Sequence, residues 1–345
     1  MSTSFDTTIL NFTLPDLTIS VRDGNIMYTQ PEQLVNRKQC HCYHAKPIGP
    51  CETLLLTIKQ KLNKHIPPAG KHISRQAKLF NRRMRENLCE ASYYFLRQGG
   101  GFTCGAACKE PVFHKLALNT TWHSPNPVSD GYIAINTKDK EIYVVWTGTR
   151  RLRAIVADAV VIFEGFPPEI HNSGVHYGFY QVTYAVLPHI VKNIRAAAED
   201  FPDYNIVFLG HSLGGANAVL SALMFVRENS YYRDRIRVWT FGEPRVGNHA
   251  FSEYYTSVLG NQTFRITNQG DFVPHVPPWQ ILGYQHHPLE IHIINKDYDF
   301  YVCQKTVRED LDGAYRWPTI DTGFSDHVDY FGKPDIGRFD AYFEF

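Results

Sequence analysis

The sequence predicts an α/β fold, a mainly parallel central sheet covered by helices, and three observations carry that reading. Apolar strand-like runs alternate with helical patterns through most of the chain, as happens when crossover helices join parallel strands. A Gly-x-Ser-x-Gly turn links one such strand to one such helix. Hydrophobic residues make up 43% of the 345 residues and aromatics 14%, enough for a large core and unlike a disordered chain.

Residues 1–75 are expected to be an irregular N-terminal extension, and 76–345 the α/β domain. Prolines at 15, 31, 47, 50, 67 and 68 interrupt the extension. Within it Leu54, Leu55, Ile58, Leu62 and Ile66 recur at helical spacing until Pro67 and Pro68 end the pattern. Nine Lys or Arg and no acid lie between Lys59 and Arg85, read as a solvated basic face ahead of a contact with an anionic surface.

The domain begins with a helical pattern over 77–96 and two strands, 131–136 and 141–146, joined by a turn at 138–140. Then follow a helix over 179–199, a strand over 205–209, a helix over 213–227 and a strand over 235–241. A helix over 248–259 and a strand over 263–267 complete the pattern. Pro188 predicts a kink or break inside 179–199.

Charge and hydropathy exclude several classes. Thirty-five Lys and Arg against 34 Asp and Glu leave a net charge of +1, no basis for nucleic acid as a partner. No run reaches the roughly 18 apolar residues of a transmembrane helix. Residues 1–20 lack the charged and apolar regions of a secretory signal and are read as carrying none. Seven cysteines are an odd number, so they do not all pair within one molecule. Cys40, Cys42, His44 and Cys51 have metal-binding types but no standard zinc spacing. No metal or organic cofactor is expected.

The chemistry centres on Gly210-His211-Ser212-Leu213-Gly214-Gly215. A serine at a sharp strand-to-helix turn has an exposed hydroxyl, and Gly210 and Gly214 let neighbouring backbone pass close. The helix starting at Leu213 directs free N–H groups toward an oxyanion on the attacked carbonyl, with the Leu213 amide as donor. His211, adjacent in the elbow, is expected to pack beside the site and not to act as base.

A serine nucleophile needs a base and an orienting carboxylate, which follow it in the order Ser, Asp, His in this kind of sheet. Asp271, just beyond the strand over 263–267, is the expected acid, with an Asx-type turn as the plain alternative. His275 is too close to Asp271 in sequence to come round from another loop. His327 on a late loop suits a base, with His286 and His287 as alternatives.

Four motifs together resemble the fungal class 3 lipases, especially the yeast triacylglycerol lipases of that family, over residues 77–331. They are the elbow, Phe241-Gly-Glu-Pro-Arg-Val-Gly-Asn248, Asp271-Phe-Val-Pro274 and Val175-His-Tyr-Gly-Phe179. The resemblance implies an α/β-hydrolase fold with a Ser212, Asp271, His327 triad. It also implies that Gly148-Thr149 supplies the second oxyanion donor, the Thr149 amide and hydroxyl, with Asp158 supporting it.

A lid is implied directly after this element, over residues 150–163. Arg150, Arg151 and Arg153 supply its charge, and Leu152, Ile155, Val156, Ala159, Val160, Ile162 and Phe163 its apolar side. The plain alternative is an ordinary core helix or strand. Cys104 and Cys108 resemble a short disulfide loop of the family, whereas His287 stands where related yeast lipases carry a cysteine.

The activity implied is hydrolysis of carboxylic esters of acylglycerols through an acyl-enzyme on Ser212. A phospholipase or soluble-ester esterase shares that chemistry. A catalytically silent, hydrolase-fold lipid-binding protein is the alternative of another class. The expected partners are the lipid substrate and the lipid–water interface, with the protein a monomer. Secretion is favoured by the resemblance and by sequons at Asn11, Asn119 and Asn261. The missing signal favours an intracellular protein, so location stays open.

Overall fold

The computed structural model describes residues 10–14, 17–22, 25–29, 113–148, 162–279, 283–296, 299–303, 309–317 and 322–330. The chain falls into two compact units, Met1–His72 and Ile73–Phe345. The expected helical patterns over 54–66 and 77–96 and the cluster at Cys40–Cys51 lie outside the described residues.

The first unit is not wholly irregular, which corrects the expectation for the extension. Strands β1 (Leu10–Leu14), β2 (Leu17–Arg22) and β3 (Asn25–Thr29) form an antiparallel sheet in the order β1-β2-β3. Each has only five or six residues, so its period-two alternation is easily lost among flanking prolines. Arg22 pairs with Asn25 across Asp23 and Gly24, and Asp-Gly between alternating runs is a strong hairpin signal.

In the second unit β4 (Leu116–Pro125), β5 (Val128–Asn136) and β6 (Glu141–Trp146) form an antiparallel meander. Two short strands, β7 (Phe163–Glu164) and β8 (Val175–His176), lead into α1 (Tyr177–Asp200). Then come β9 (Asn205–His211), α2 (Leu213–Glu228), β10 (Ile236–Phe241), β11 (Gly247–Asn248) and α3 (His249–Leu259). The chain continues through β12 (Thr263–Asn268), β13 (Tyr284–Gln285), β14 (Glu290–Ile293) and β15 (Phe300–Val302).

The central sheet has eight strands in the order β15-β14-β12-β10-β9-β6-β5-β4. Its five middle strands are parallel, and the antiparallel pairings lie toward the edges. Strands covered on both faces read as continuous apolar runs, and every residue of β6 is buried. On β9, Ile206 and Phe208 join the core beneath α1 and α2, while Val207 and Leu209 join the opposite core with Tyr143, Phe241 and Tyr330. A second, four-stranded sheet has the order β13-β11-β8-β7.

Of the kink or break expected at Pro188 the break is absent, one edge strand was not expected, and one helix start shifts. α1 runs unbroken through Pro188. Pro188 and Tyr184, four residues earlier, both lie on the exposed face of the helix, where the lost hydrogen bond is cheapest to leave to water. Strand β4 carries no strong alternation in its sequence because it is an edge strand, half exposed along its length. By contrast, α3 starts one residue later than expected, because Asn248 is its N-cap and accepts from the Phe251 amide at 3.0 Å.

Candidate active site

The C-terminal ends of the parallel strands carry the chemistry, as in open α/β sheets generally. Ser212 follows β9 directly, is fully buried, and has φ 57° and ψ −130°. This conformation is strained for a residue with a Cβ. It is held from both sides, by the Ser212 amide on the Phe241 carbonyl at 2.8 Å and by the Gly215 amide on the Ser212 carbonyl at 2.9 Å. A Cβ at Gly210 would lie 2.0 Å from the Gly214 oxygen, and one at Gly214 would lie 2.4 Å from the Trp146 oxygen. The tight crossing of β9, α2 and β6 therefore requires both glycines.

Asp271 follows β12, and His327 sits in the loop 322–330; both are buried. The His327 Nδ1–H points between the two Asp271 carboxylate oxygens, 2.9 Å from each. Asp271 Oδ2 also accepts from the Tyr330 hydroxyl at 2.7 Å, and Oδ1 from the Val273 amide at 2.9 Å. Burial alone would raise the Asp271 pKa, but the His327 charge and these hydrogen bonds outweigh it and hold the carboxyl below its ordinary value.

Gly242 packs behind this pair at φ 58°, where a Cβ would meet Asp271 Oδ2 at 2.7 Å and His327 Nδ1 at 2.8 Å. Ser212 Oγ and His327 Nε2 are both buried without a hydrogen-bond partner among the described residues. The serine–histidine bond is thus open in this state, as catalytic hydrogen bonds often are without substrate.

The other candidate histidines are engaged elsewhere. His286 Nε2 bonds the Pro274 carbonyl at 2.8 Å, and burial followed by the charges of Arg265 and Arg245 pushes its pKa well down. His287 Nε2 lies 3.1 Å from Glu243 Oε1. Burial, followed by the Arg245 charge, lowers the His275 pKa below the ordinary histidine value. His211 packs against His327 with ring centres 4.5 Å apart, and its Nε2–H donates to the His327 carbonyl at 2.8 Å.

The Phe241–Asn248 motif contributes structure around the site. Arg245 donates to the His275 and Pro277 carbonyls at 2.6 and 3.0 Å and grips Glu309 with two 2.8 Å bonds. It thereby fastens the segment that follows Asp271. The roles of Asn268 and Tyr330 were not legible in the sequence, because their partners are distant in the chain and their residue types are common.

Leu213 is the first residue of α2, beside Ser212. Thr149, Arg150, Arg151, Leu152, Arg153, Ile155, Val156, Asp158, Ala159 and Val160 lie outside the described residues, as do Cys104 and Cys108. Of the expected lid, Ile162 is exposed and Phe163 is strand-paired with His176. Phe163 also stacks on Tyr284 at 4.5 Å, and the Ile162 carbonyl accepts from Tyr177 at 2.9 Å. The C-terminal end of that segment is therefore fastened. No helix among the described residues is long and apolar enough to cross a membrane.

A serine on a strained elbow, facing a buried histidine–aspartate pair at the ends of a mainly parallel sheet, places the chain among α/β-hydrolase-fold proteins. The family model for lipase (class 3) matches residues 143–281. The chain is 32% identical to a lipase of Rhizopus niveus over 213 residues, 61% of this chain and 53% of that protein. It is 32% identical to a lipase of Rhizomucor miehei over 219 residues, 63% of this chain and 59% of that protein. The chain thus spans little more than half the length of these curated relatives. A solved triacylglycerol lipase whose catalytic centre is a serine protease triad superposes with a TM-score of 0.69 at 28% identity, covering 76% of this chain and 97% of that one. Over residues 143–281 the chain is thus similar to the class 3 lipases.

Proposed function

We propose that this chain is a triacylglycerol lipase, a serine hydrolase cleaving the carboxylic esters of acylglycerols. The observation that carries the reading is the buried His327–Asp271 pair beside a serine held at φ 57°. Ser212 Oγ attacks the ester carbonyl while His327 Nε2 takes its proton. His327 then passes that proton to the departing glycerol oxygen, leaving an acyl-enzyme that water cleaves by the same route. Asp271 stays ionised throughout; it holds the His327 Nδ1–H and stabilises the imidazolium.

The Leu213 amide at the start of α2 and the Thr149 amide and hydroxyl bind the oxyanion, with Asp158 supporting Thr149. Such a donor contributes about 2.7 to 4 kcal/mol in enzymes of this type. The lipid substrate is read from the similarity to lipases, and a Ser212 closed to water is consistent with it. The arginine-bearing, apolar sequence of residues 150–163, directly after Gly148-Thr149, supports the reading of a lid there. A lipid surface receives the apolar side and so favours the open state.

The test has two parts. An organophosphonate is expected to label Ser212 alone, as read by peptide mapping. A panel of triacylglycerols, phospholipids and soluble esters is expected to favour triacylglycerols, with activity rising where a short-chain triacylglycerol passes its solubility limit. Ile155→Asp is expected to blunt that rise. Labelling elsewhere overturns the triad, and preference for soluble esters without any rise overturns the lipid substrate.

A further inference from the structure

We propose that Asn268 is a positioning residue that sets where His327 stands, a role that rests on the hydrolase reading above. His327 belongs to the loop 322–330, whose only backbone pairing among the described residues is the bridge of Gly323, four residues before His327, with Asp271. Something outside the loop must fix its path. Asn268 ends β12 and is 1% exposed. Its side-chain Nδ2 donates to the carbonyl of Asp326 at 2.9 Å and to the carbonyl of Asp329 at 2.9 Å. These carbonyls lie on either side of His327. Both can only accept, so the amide NH2 faces them with both of its hydrogens.

The clamp is anchored on a rigid element. Asn268 continues a parallel strand paired with β14 through Ile293, and the Gln269 amide donates to the Ile293 carbonyl at 2.8 Å. The loop answers with a bond of its own, since Asp326 Oδ2 accepts from the Gly270 amide at 3.0 Å. Two residues beyond Gln269 stands Asp271. Gly323 ties the start of the loop to Gly270 and Phe272 by backbone bonds, and the Asn268 side chain ties the stretch around His327 itself to the strand that carries its carboxylate partner. A shift of the loop displaces Nε2 relative to Ser212 Oγ, and misplacement near 1 Å costs such reactions about 10²-fold.

Without Asn268 two half-buried carbonyls lose their donor, and the loop moves to find another. The experiment compares wild type with Asn268→Ala and with Asn268→Ser, which keeps a single donor. Three quantities are read: kcat and KM on a soluble ester, the rate of phosphonate labelling of Ser212, and the low-field proton resonance of the His327 Nδ1–H.

In Asn268→Ala, kcat and the labelling rate are expected to fall together by about 10- to 100-fold, with KM nearly unchanged and the resonance broadened or lost. Asn268→Ser is expected to fall between the two, and it carries the comparison if the alanine variant does not fold. Wild-type kcat in a folded variant overturns the proposal. So does a loss of activity that only follows the unfolded fraction while the resonance stays intact. A wild-type protein inert toward every ester sinks the hydrolase reading, and the resonance still decides whether Asn268 holds His327.

Discussion

Tyr330 donates its hydroxyl to Asp271 Oδ2 at 2.7 Å, on the same carboxylate that receives the His327 Nδ1–H at 2.9 Å. Tyr330 and His327 lie three residues apart on one loop, so a single excursion of chain brings the base and a second donor to the same buried acid. Tyr330→Phe removes a hydrogen bond to a charged group, a bond whose loss costs about 1.5–3 kcal/mol. A fall in kcat of roughly ten-fold is expected with KM little changed.

The same substitution has a pH signature. The folded-state pKa of Asp271 is depressed, so its contribution to stability is present above the unfolded carboxylate value. It is lost as pH falls through the folded value. Tyr330→Phe lifts that folded value, so acid unfolding is expected to begin at higher pH. Urea midpoints taken from neutral pH down through the carboxylate range check this, and coincident curves for the two proteins refute it.

Ser212→Ala is expected to lower turnover on the order of 10⁶-fold. Ser212→Gly is expected to be as inactive but more stable than the alanine variant by about 1 kcal/mol. At φ 57° a Cβ is strained, and glycine relieves more strain than it costs in chain entropy. Thermal midpoints of the two inactive variants decide it; equal midpoints mean the elbow stores no strain.

Neighbouring glycines are expected to differ sharply. An alanine Cβ at position 210 meets the Gly214 backbone oxygen at 2.0 Å, atoms that cannot yield, so Gly210→Ala should cost about 3 kcal/mol or more and remove phosphonate labelling. At Gly215 the nearest atom is the Glu243 Cβ at 3.2 Å. There the tight contact is offset by better helix propensity, and Gly215→Ala should stay within about 1 kcal/mol of wild type. Denaturant midpoints make the comparison.

Two histidines, the half-buried His176 and the buried His292, are expected to make stability pH-dependent. Burial lowers His176 from 6.5 to about 4, and burial, partly opposed by Glu290, does the same to His292. A depressed folded value means that the unfolded chain binds the extra proton first. Stability is therefore complete above pH 6.5 and declines as pH falls toward 4, by at most about 3 kcal/mol per histidine. Replacing His176 by Phe is expected to flatten part of that slope, measured as urea midpoints across the window. An unchanged slope assigns the effect to other groups.

The sequence by itself determined the elbow, because its requirements are local. A strand, two glycines where an added Cβ would come within 2.0 and 2.4 Å of backbone oxygens, and a helix start all fall within ten residues of Ser212. It also placed β6, β9, β10, β12 and the helices α1 to α3 to within about two residues, since buried parallel strands and amphipathic helices leave strong periodic signals, but it missed the edge strand β4 and the short strands β7, β8, β11, β13, β14 and β15. It passed over β1 to β3, whose short alternations are broken by prolines.

Which histidine faces Asp271 was open on the residues alone and was singled out only through resemblance to a family. In the structure that pairing joins positions 56 apart through a loop with no regular backbone pattern. Asn268, His211 and Tyr330 bring it about with side-chain hydrogen bonds to carbonyls and to a carboxylate. Such bonds depend on where distant strands lie once the core has packed, and no local period in the sequence records them. Gly242 shows the same division. Its place in a motif was visible, but the reason for it, two ångström-scale gaps beside Asp271 and His327, exists only in the assembled site.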